Sequence, residues 1–469
     1  NVTINEDDPL KILALAGLPV LPLDIPGPAE MTIKAAGRLS DGLELGVHYV
    51  AAGTQADWTG TLTANADATV SDGQIALVSD DLDPYLQASG MAFAGTGTGT
   101  PVDLKAAMQG KSGVFSFSGL SLKAADAMLS GTVALDINGD RPKVTGSLDA
   151  ESIDGQLLAE SLFGPVGLTG LTTAFPASAL LPVDGDVSVS ARSFSMQPFG
   201  TASDLKGRLV VDARGFSLSE VEAAMAGGKL TGSAEARNDA GTGTVHADGK
   251  LAGASLDLLT GHAEPGGKAD MSGTVSGSGK SMDALVSALT GSGVLALDGS
   301  RLAGLNPDGF APIAQLASQL DHAPLNSQVQ ALVDGPVRTG VFLLDTRPMA
   351  WTLSGGVIRI PSILASKDGL ASLEATLEGK LADWTALVSG VMTYNAGKAA
   401  VIGAEPQVPF TVSITGQGNS LQVDPQPLTQ FLTQYALERE QARVETMQAS
   451  LIEKQRLRRD VRRIVSIYV

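Results

Sequence analysis

Few residues of this chain have the types and spacing that catalysis or ligand binding requires. No two of its four histidines, His48, His246, His262 and His322, lie three or four residues apart, so no helical face presents a metal-binding pair. Turn or surface positions are expected for them. The run from Thr274 to Ser281 ends in Gly279-Lys280-Ser281, like a phosphate loop whose backbone amides and lysine cradle phosphate. The first glycine of that motif falls on Thr274, and Gly273 is one residue out of register. A Gly/Ser turn entering a helix at Ser281 is the expectation. Asp136-Ile137-Asn138-Gly139-Asp140 opens like a calcium loop, but Arg141 stands where the loop needs glycine and Ser147 where it needs glutamate. A hairpin turn fits better. Asp80, Asp81 and Asp83 read as a solvated acidic loop in preference to a weak calcium site. Gly95 to Thr100 lacks dinucleotide-loop spacing and reads as a turn. With 50 acidic residues a glycosidase pair stays open, but none is singled out, and 4% aromatics gives little to stack on a sugar. No catalytic, cofactor or metal residues are assigned, and an enzyme is not expected.

The elements that would position any site follow from period 2. Val133, Leu135 and Ile137 alternate with Thr132, Ala134 and Asp136; Val187 and Val189 alternate with Asp186, Ser188 and Ser190. Leu373, Ala375 and Leu377 alternate with Ser372, Glu374 and Thr376, and Phe410, Val412 and Ile414 with Thr411 and Ser413. The run Leu62 to Val70, with Ala64, Ala66 and Ala68 between, reads as one further strand. Such alternation places apolar side chains on one face and polar ones on the other. It favours antiparallel sheet over parallel sheet buried on both faces. Asp-Gly occurs nine times and Asn138-Gly139 adds another, which suits hairpin turns needing positive φ. A long meander is expected, interrupted by helices at 281–289, 310–320 and 325–333, where apolar residues recur at helical spacing.

Composition sets further bounds. The chain has 469 residues, net charge −18 and no cysteine. A chain this acidic is a poor general binder of nucleic acid. Without thiols it has no disulfide, iron–sulfur or cysteine–zinc chemistry. The longest apolar stretch, Ile12 to Leu23, is broken by Pro19 and Pro22 and is too short to cross a bilayer.

From Gln426 onward glycine disappears and Pro427 is the last proline. Leu428, Phe431, Leu432, Tyr435, Val444, Met447, Leu451, Leu457, Val461 and Ile464 recur every three or four residues, predicting one long helix. Its end carries Lys454, Arg456, Arg458, Arg459, Arg462 and Arg463 against Asp460 alone. A solvated helix end that suits the macrodipole and contact with anionic lipid head groups both remain open.

Several stretches resemble the AsmA family. Gly291-Ser-Gly-Val-Leu-Ala-Leu-Asp298-Gly299-Ser-Arg-Leu-Ala-Gly304 is similar to a glycine-punctuated strand signature of its C-terminal region, preceded by a helix at Met282 to Leu289. Leu129 to Leu148, with Gly139, Arg141, Pro142 and Gly146, resembles the family's strand pair. Leu205 to Ala234, with Gly227-Gly228-Lys229-Leu230-Thr231-Gly232, resembles another unit, and Val408 to Leu421 before a basic helix is similar to the tail of alphaproteobacterial members. The resemblance spans roughly residues 110 to 465, and 310–369 departs from the pattern.

The resemblance implies a Gram-negative envelope protein, periplasmic and held to the inner membrane by an N-terminal helix missing here. It also implies a β-sheet groove carrying phospholipid between inner and outer membranes in support of outer-membrane biogenesis. The expected fold is therefore mainly β: a long curved antiparallel β-sheet groove with short covering helices and a long C-terminal α-helix. The expected segments are 1–110 as an N-terminal β part of the groove, 111–425 as the AsmA-like part, and 426–469 as the basic amphipathic helix. Inward-facing polarity assigns Leu62, Val70, Val133, Leu135, Ile137, Val187, Val189, Leu373, Leu377, Val412 and Ile414 to the lining. Acyl chains, the two membranes and outer-membrane assembly proteins are the expected partners. An assembly scaffold for β-barrel proteins and a structural or adhesive β-repeat protein are the rival readings.

Overall fold

A computed structural model describes the chain except for residues 16–19, 22, 24, 26, 65–68, 90–98, 125–126, 165–170, 180, 197–199, 261–265, 320–325, 416–417 and 469. The protein is mainly β, and 22 strands belong to one long, unclosed sheet. The described chain divides into two compact units. The first comprises Asn1–Ala254, Met271–Ser292 and Leu353–Gly356; the second comprises Ser255–Asp270, Gly293–Thr352 and Val357–Val469.

In chain order the first unit begins with β1 (Val2–Glu6), α1 (Pro9–Leu15), β2 (Ala29–Ala36), β3 (Leu43–Ala51), β4 (Thr54–Ala64), β5 (Thr69–Ser79) and α2 (Asp83–Ala88). It continues through β6 (Val102–Lys111), β7 (Val114–Ala124), β8 (Ala127–Asp136), β9 (Lys143–Asp154) and α3 (Gly155–Phe163). Then come β10 (Asp184–Met196), β11 (Gly200–Asp212), β12 (Gly215–Met225), β13 (Gly228–Asp239) and β14 (Thr242–Ser255). Each strand from β1 to β14 pairs with the next, and all but one of these pairings are antiparallel. The exception within this antiparallel sheet is β10, which lies parallel to β9. A parallel neighbour needs a long crossover, and α3 with the loop after it supplies one. The expected boundary at residue 110 falls inside β6, which is paired on both sides.

Bulges bend these strands. Gly119 takes φ +57° where β7 gains a residue between Phe117 and Leu120, and Glu220 takes φ +54° between Leu218 and Val221. A bulge of this kind increases local twist. It also lets an odd residue and a later even one share a face. Buried Asn238 ties α3 down, donating from Nδ2 to the Leu162 carbonyl at 2.8 Å and the Pro176 carbonyl at 2.9 Å.

The rest of the chain begins with α4 (Leu256–Thr260), β15 (Lys268–Gly279), α5 (Met282–Ser287), β16 (Thr290–Asp298), β17 (Ser300–Ala303), α6 (Phe310–Ala317) and α7 (Asn326–Arg338). It goes on through β18 (Val341–Leu344), β19 (Met349–Ser354), β20 (Val357–Lys367), β21 (Ala371–Lys380), β22 (Thr385–Tyr394), β23 (Gln407–Thr415), β24 (Gly418–Val423) and α8 (Gln426–Tyr468). β17 and β18 form a separate two-stranded sheet, and β20 to β24 form an antiparallel meander. In β20 a bulge falls between Ile360 and Ile363, at Pro361, where the missing amide of proline is tolerated. One face of the meander, including Ile360, Leu373, Met392, Phe410 and Val412, is buried with Phe310, Leu428, Phe431 and Leu432 from α6 and α8. Phe310 stacks on Tyr394 with ring centroids 5.6 Å apart, and the Tyr394 hydroxyl donates to the Asn306 carbonyl at 2.6 Å. Burial and Asp308 push the Tyr394 hydroxyl pKa well above its ordinary value. No helix among the described residues is long and apolar enough to cross a membrane.

Candidate functional site

The most extensive surface feature of the first unit is its apolar sheet face. Residues paired directly across strands share a face, so the registers trace rows across the sheet. One row runs Ala35–Leu45–Gly60–Gly73–Met108–Phe117–Val133–Gly146–Val187–Leu209–Leu218–Ala234–Ala247, from β2 to β14, with no polar side chain. A second runs Ile4–Met31–Tyr49–Ala56–Leu77–Leu104–Leu122–Leu129–Ala150–Ala191–Leu205. A third, on the far side of the first, starts Leu43–Leu62–Ser71–Gly110–Phe115–Leu135–Val144 and carries one hydroxyl, Ser71. With the row through Val47, Trp58 and Ile75, four rows make a ribbon about 20 Å wide at ~6.8 Å per two-residue step.

Helices pack closely on this ribbon at its two ends. α1 contacts β1 and β2, and α3 contacts β10 and β13. Ile12 of α1 is buried among Met31, Tyr49 and Ala51. Burial raises the Tyr49 hydroxyl pKa further than its neighbours Tyr85 and Asp8 do. Leu162 and Phe163 of α3 are buried with Phe175 and Leu285. Between these ends, from β4 to β9, the large side chains Trp58, Leu62, Ile75, Leu77, Leu104, Met108, Phe115, Phe117, Leu129, Val133, Leu135, Val144 and Leu148 are only half-buried. The Trp58 indole N–H sits buried there without an acceptor among the described residues.

The opposite face is polar in the same register. One of its rows reads His48–Asp57–Ala76–Lys105–Ser121–Ser130–Asp149–Ser190–Lys206–Glu222–Thr231–Lys250. Arg208 grips Asp186 with two bonds of 2.8 Å, and that contact holds the Asp186 carboxyl below its usual range. His48 Nδ1 lies 2.6 Å from Asp57 Oδ1, while Gln55 donates to Asp57 Oδ2 at 2.8 Å. Gln55 and then His48 lower the Asp57 carboxyl. No hydroxyl is hydrogen-bonded to this pair among the described residues, and it stands on a flat strand surface.

The structure distributes the expected lining residues unequally. Leu62, Val133 and Leu135 lie half-buried on the ribbon, and Val187 and Val189 are buried on it. Val70 is a correction. It pairs with Thr63 and points to the polar face, because β4 ends at Ala64 and β5 begins at Thr69; the expected strand 62–70 is a hairpin whose residues 65–68 lie outside the description. Ile137 is another: β8 ends at Asp136, and Ile137 is half-exposed in the turn, its amide donating to the Gly113 carbonyl. Leu373 and Val412 are buried in the core of the second unit, where α8 packs on β23; Leu373 also borders an open cleft there. Leu377 is half-buried on that face, and Ile414 is exposed at the end of β23.

The local motifs resolve into turns. Ser281 caps α5, its hydroxyl accepting from Ala284 N at 3.2 Å. A side chain at Gly279 would meet Leu285 N at 2.3 Å. The Asp136 carboxylate accepts from Asn138 within its own turn. Asp81 and Asp83 bind the Gly99 and Thr100 amides and the Thr100 hydroxyl, so their carboxylates brace a loop. His246 stands on the polar face opposite Glu235; His262, His322 and residues 95–98 lie outside the description. No cluster of three or more potential metal ligands occurs among the described residues. An open cleft of about 690 Å³ in the second unit is lined by Asp345, Arg347, Met349, Leu364 and Glu374 among others. Period-2 reasoning found the strands but missed Gly60, Gly73 and Gly146, which belong to the ribbon and carry no hydropathy signal.

Fold and surface thus define a β-meander protein with a one-sided apolar ribbon. No protein-family model, curated protein or solved structure matches the chain.

Proposed function

We propose that this protein is an AsmA-type envelope protein whose apolar sheet face beds the acyl chains of phospholipids. It thereby transfers lipid between the inner and outer membranes and supports outer-membrane biogenesis. The observation that carries the reading is the half-buried stretch of ribbon from β4 to β9. At ~4.8 Å per strand and about 20 Å of width it amounts to about 500 Å² of apolar face, near the top of what an ordinary monomer exposes. Acyl chains suit it because, apart from Ser71, Tyr49 and Trp58, the traced rows offer no hydrogen-bonding side chain. Each methylene removed from water contributes about 0.8 kcal/mol without any directional demand. Transfer of this kind needs no reacting group: the ribbon lowers the cost of carrying chains through water while head groups stay solvated.

The test is native mass spectrometry and organic extraction of the purified protein, followed by quenching of Trp58 fluorescence with brominated phospholipid. Retained phospholipid and quenching that disappears in Trp58→Phe support the reading. A well-folded protein that carries no lipid and shows no quenching overturns it.

A further inference from the structure

We propose that the distal half of α8 is an arm that docks on anionic phospholipid surfaces. This goes beyond the sheet-face reading and does not rest on it. The first turns of α8 are anchored: Leu428, Phe431 and Leu432 are buried, and Arg439 donates to the Ser318 carbonyl at 2.8 Å. After Glu440 the pattern changes, and every residue from 441 to 463 is exposed. At ~1.5 Å per residue that is a helix of roughly 35 Å standing clear of its own core. Most helical stability in proteins comes from packing of an amphipathic face, and this stretch is exposed throughout.

The arm's chemistry selects its partner. Lys454, Arg456, Arg458, Arg459, Arg462 and Arg463 crowd three turns with Glu453 and Asp460, in a protein whose net charge is −18. Arg456 approaches Glu453 and Asp460 at 3.9 Å, whereas Lys454, Arg458, Arg459 and Arg462 enter no ion pair among the described residues. Leu457 and Val461 are four apart and exposed. Lys454 and Arg458 each precede one of them by three positions, so cations flank the apolar pair on one side of the helix. This arrangement lies in a lipid interface with its aliphatic side chains down and its cations among phosphates.

A second copy suits the arm less well. A parallel pair would set the two cationic ends side by side. An antiparallel pair would set each against residues 438–445, where Glu438, Glu440 and Glu445 are offset by Arg439 and Arg443. Because the rest of the chain is acidic, an anionic surface would attract this end and repel the body, orienting the protein as it docks.

The experiment is flotation of the full chain with vesicles of phosphatidylcholine alone or mixed with phosphatidylglycerol, at low and raised salt. Binding to the anionic vesicles alone, weakening as salt rises, is expected. Each cation near such a surface strengthens binding roughly fivefold, so Arg458→Gln/Arg459→Gln/Arg462→Gln should weaken it about a hundredfold. The replaced residues touch solvent, so circular dichroism and the melting temperature should stay at wild-type values. Equal binding to both vesicle types, or wild-type binding by the triple variant, overturns the proposal. So does a dimer that Val444→Asp/Leu451→Asp dissociates. Lipid extracted from the protein before vesicles are added reports on the sheet face alone, so either idea can fail without the other.

Discussion

The ribbon makes Val133 and Ala134 a decisive pair of positions. They are neighbours on β8, but Val133 pairs with Phe117 and Gly146 on the apolar face, and Ala134 pairs with Ser116 and Thr145 on the polar one. Gly146 offers no side chain, so a carboxylate in Val133→Asp would stand directly beside any chain lying across β8 and β9. A hydrated carboxylate keeps about one strand spacing of that chain in water, ~4.8 Å, or about four methylenes. At about 0.8 kcal/mol each, the loss is ~3 kcal/mol per acyl chain, which weakens retention roughly a hundredfold for every chain that crosses the site. Val133 is half-buried and no helix among the described residues packs closely on β8, so Val133→Asp should lower stability by about 1 kcal/mol, within the ordinary range for a point change. Ala134→Asp should change neither. The assay is phospholipid per protein by extraction and native mass spectrometry, with urea denaturation alongside. If Val133→Asp folds and keeps as much lipid as the wild type, or if Ala134→Asp loses as much, the assignment of faces to function is wrong.

Three further outcomes follow from the same structure. Asn238→Ala removes three hydrogen bonds, to the Leu162 and Pro176 carbonyls and from the Gly241 amide; it should cost about 3 kcal/mol, read as a lower urea midpoint, and expose the segment after α3 to protease first. Tyr394→Phe leaves the Asn306 carbonyl without its 2.6 Å donor and should cost about 1–2 kcal/mol in the second unit with little change in circular dichroism. Asp186 is held below the ordinary carboxylate range by Arg208, so its contribution is complete above about pH 4 and is lost as pH falls through its folded value. Asp186→Asn should therefore lower the melting temperature slightly at neutral pH and leave a shallower fall on acidification; an unchanged acid limb would refute the assignment.

What could be read from the sequence depended on how local its cause was. Strand alternation is local, so β8, β10, β21 and β23 were legible, and so was α8, where glycine vanishes. The reversal from β4 to β5 was not, because the sequence alternation continues from one to the other: Leu62 and Val70 have the same parity yet face opposite ways. Bulges at Gly119 and Glu220 shift parity again, and a residue in the left-handed region leaves no hydropathy trace. The parallel step from β9 to β10 depends on a crossover whose return point is set by tertiary packing. Of the site, the apolar rows were legible, but whether a row is open or covered was not. Leu373 and Val133 look alike in the sequence; the first is buried and the second only half-buried.

That contrast bears on how the two apolar faces should behave. In the second unit the meander and its helices form an ordinary two-layer core: Met392, Val408 and Leu432 are fully buried, and the face gains its stability without any guest. In the first unit, Phe117, Val133 and Leu135 are left half in water although each could have been replaced by serine or threonine at no cost to strand geometry. An aliphatic or aromatic residue exposed on a sheet contributes little to the fold and raises the hazard of association. Large apolar side chains repeated in register over strand after strand, with a mostly polar reverse face, are what the proposed lipid-bedding reading rests on. On the proposed reading an apolar guest would lie between β4 and β9, where the large side chains of the ribbon are half-buried.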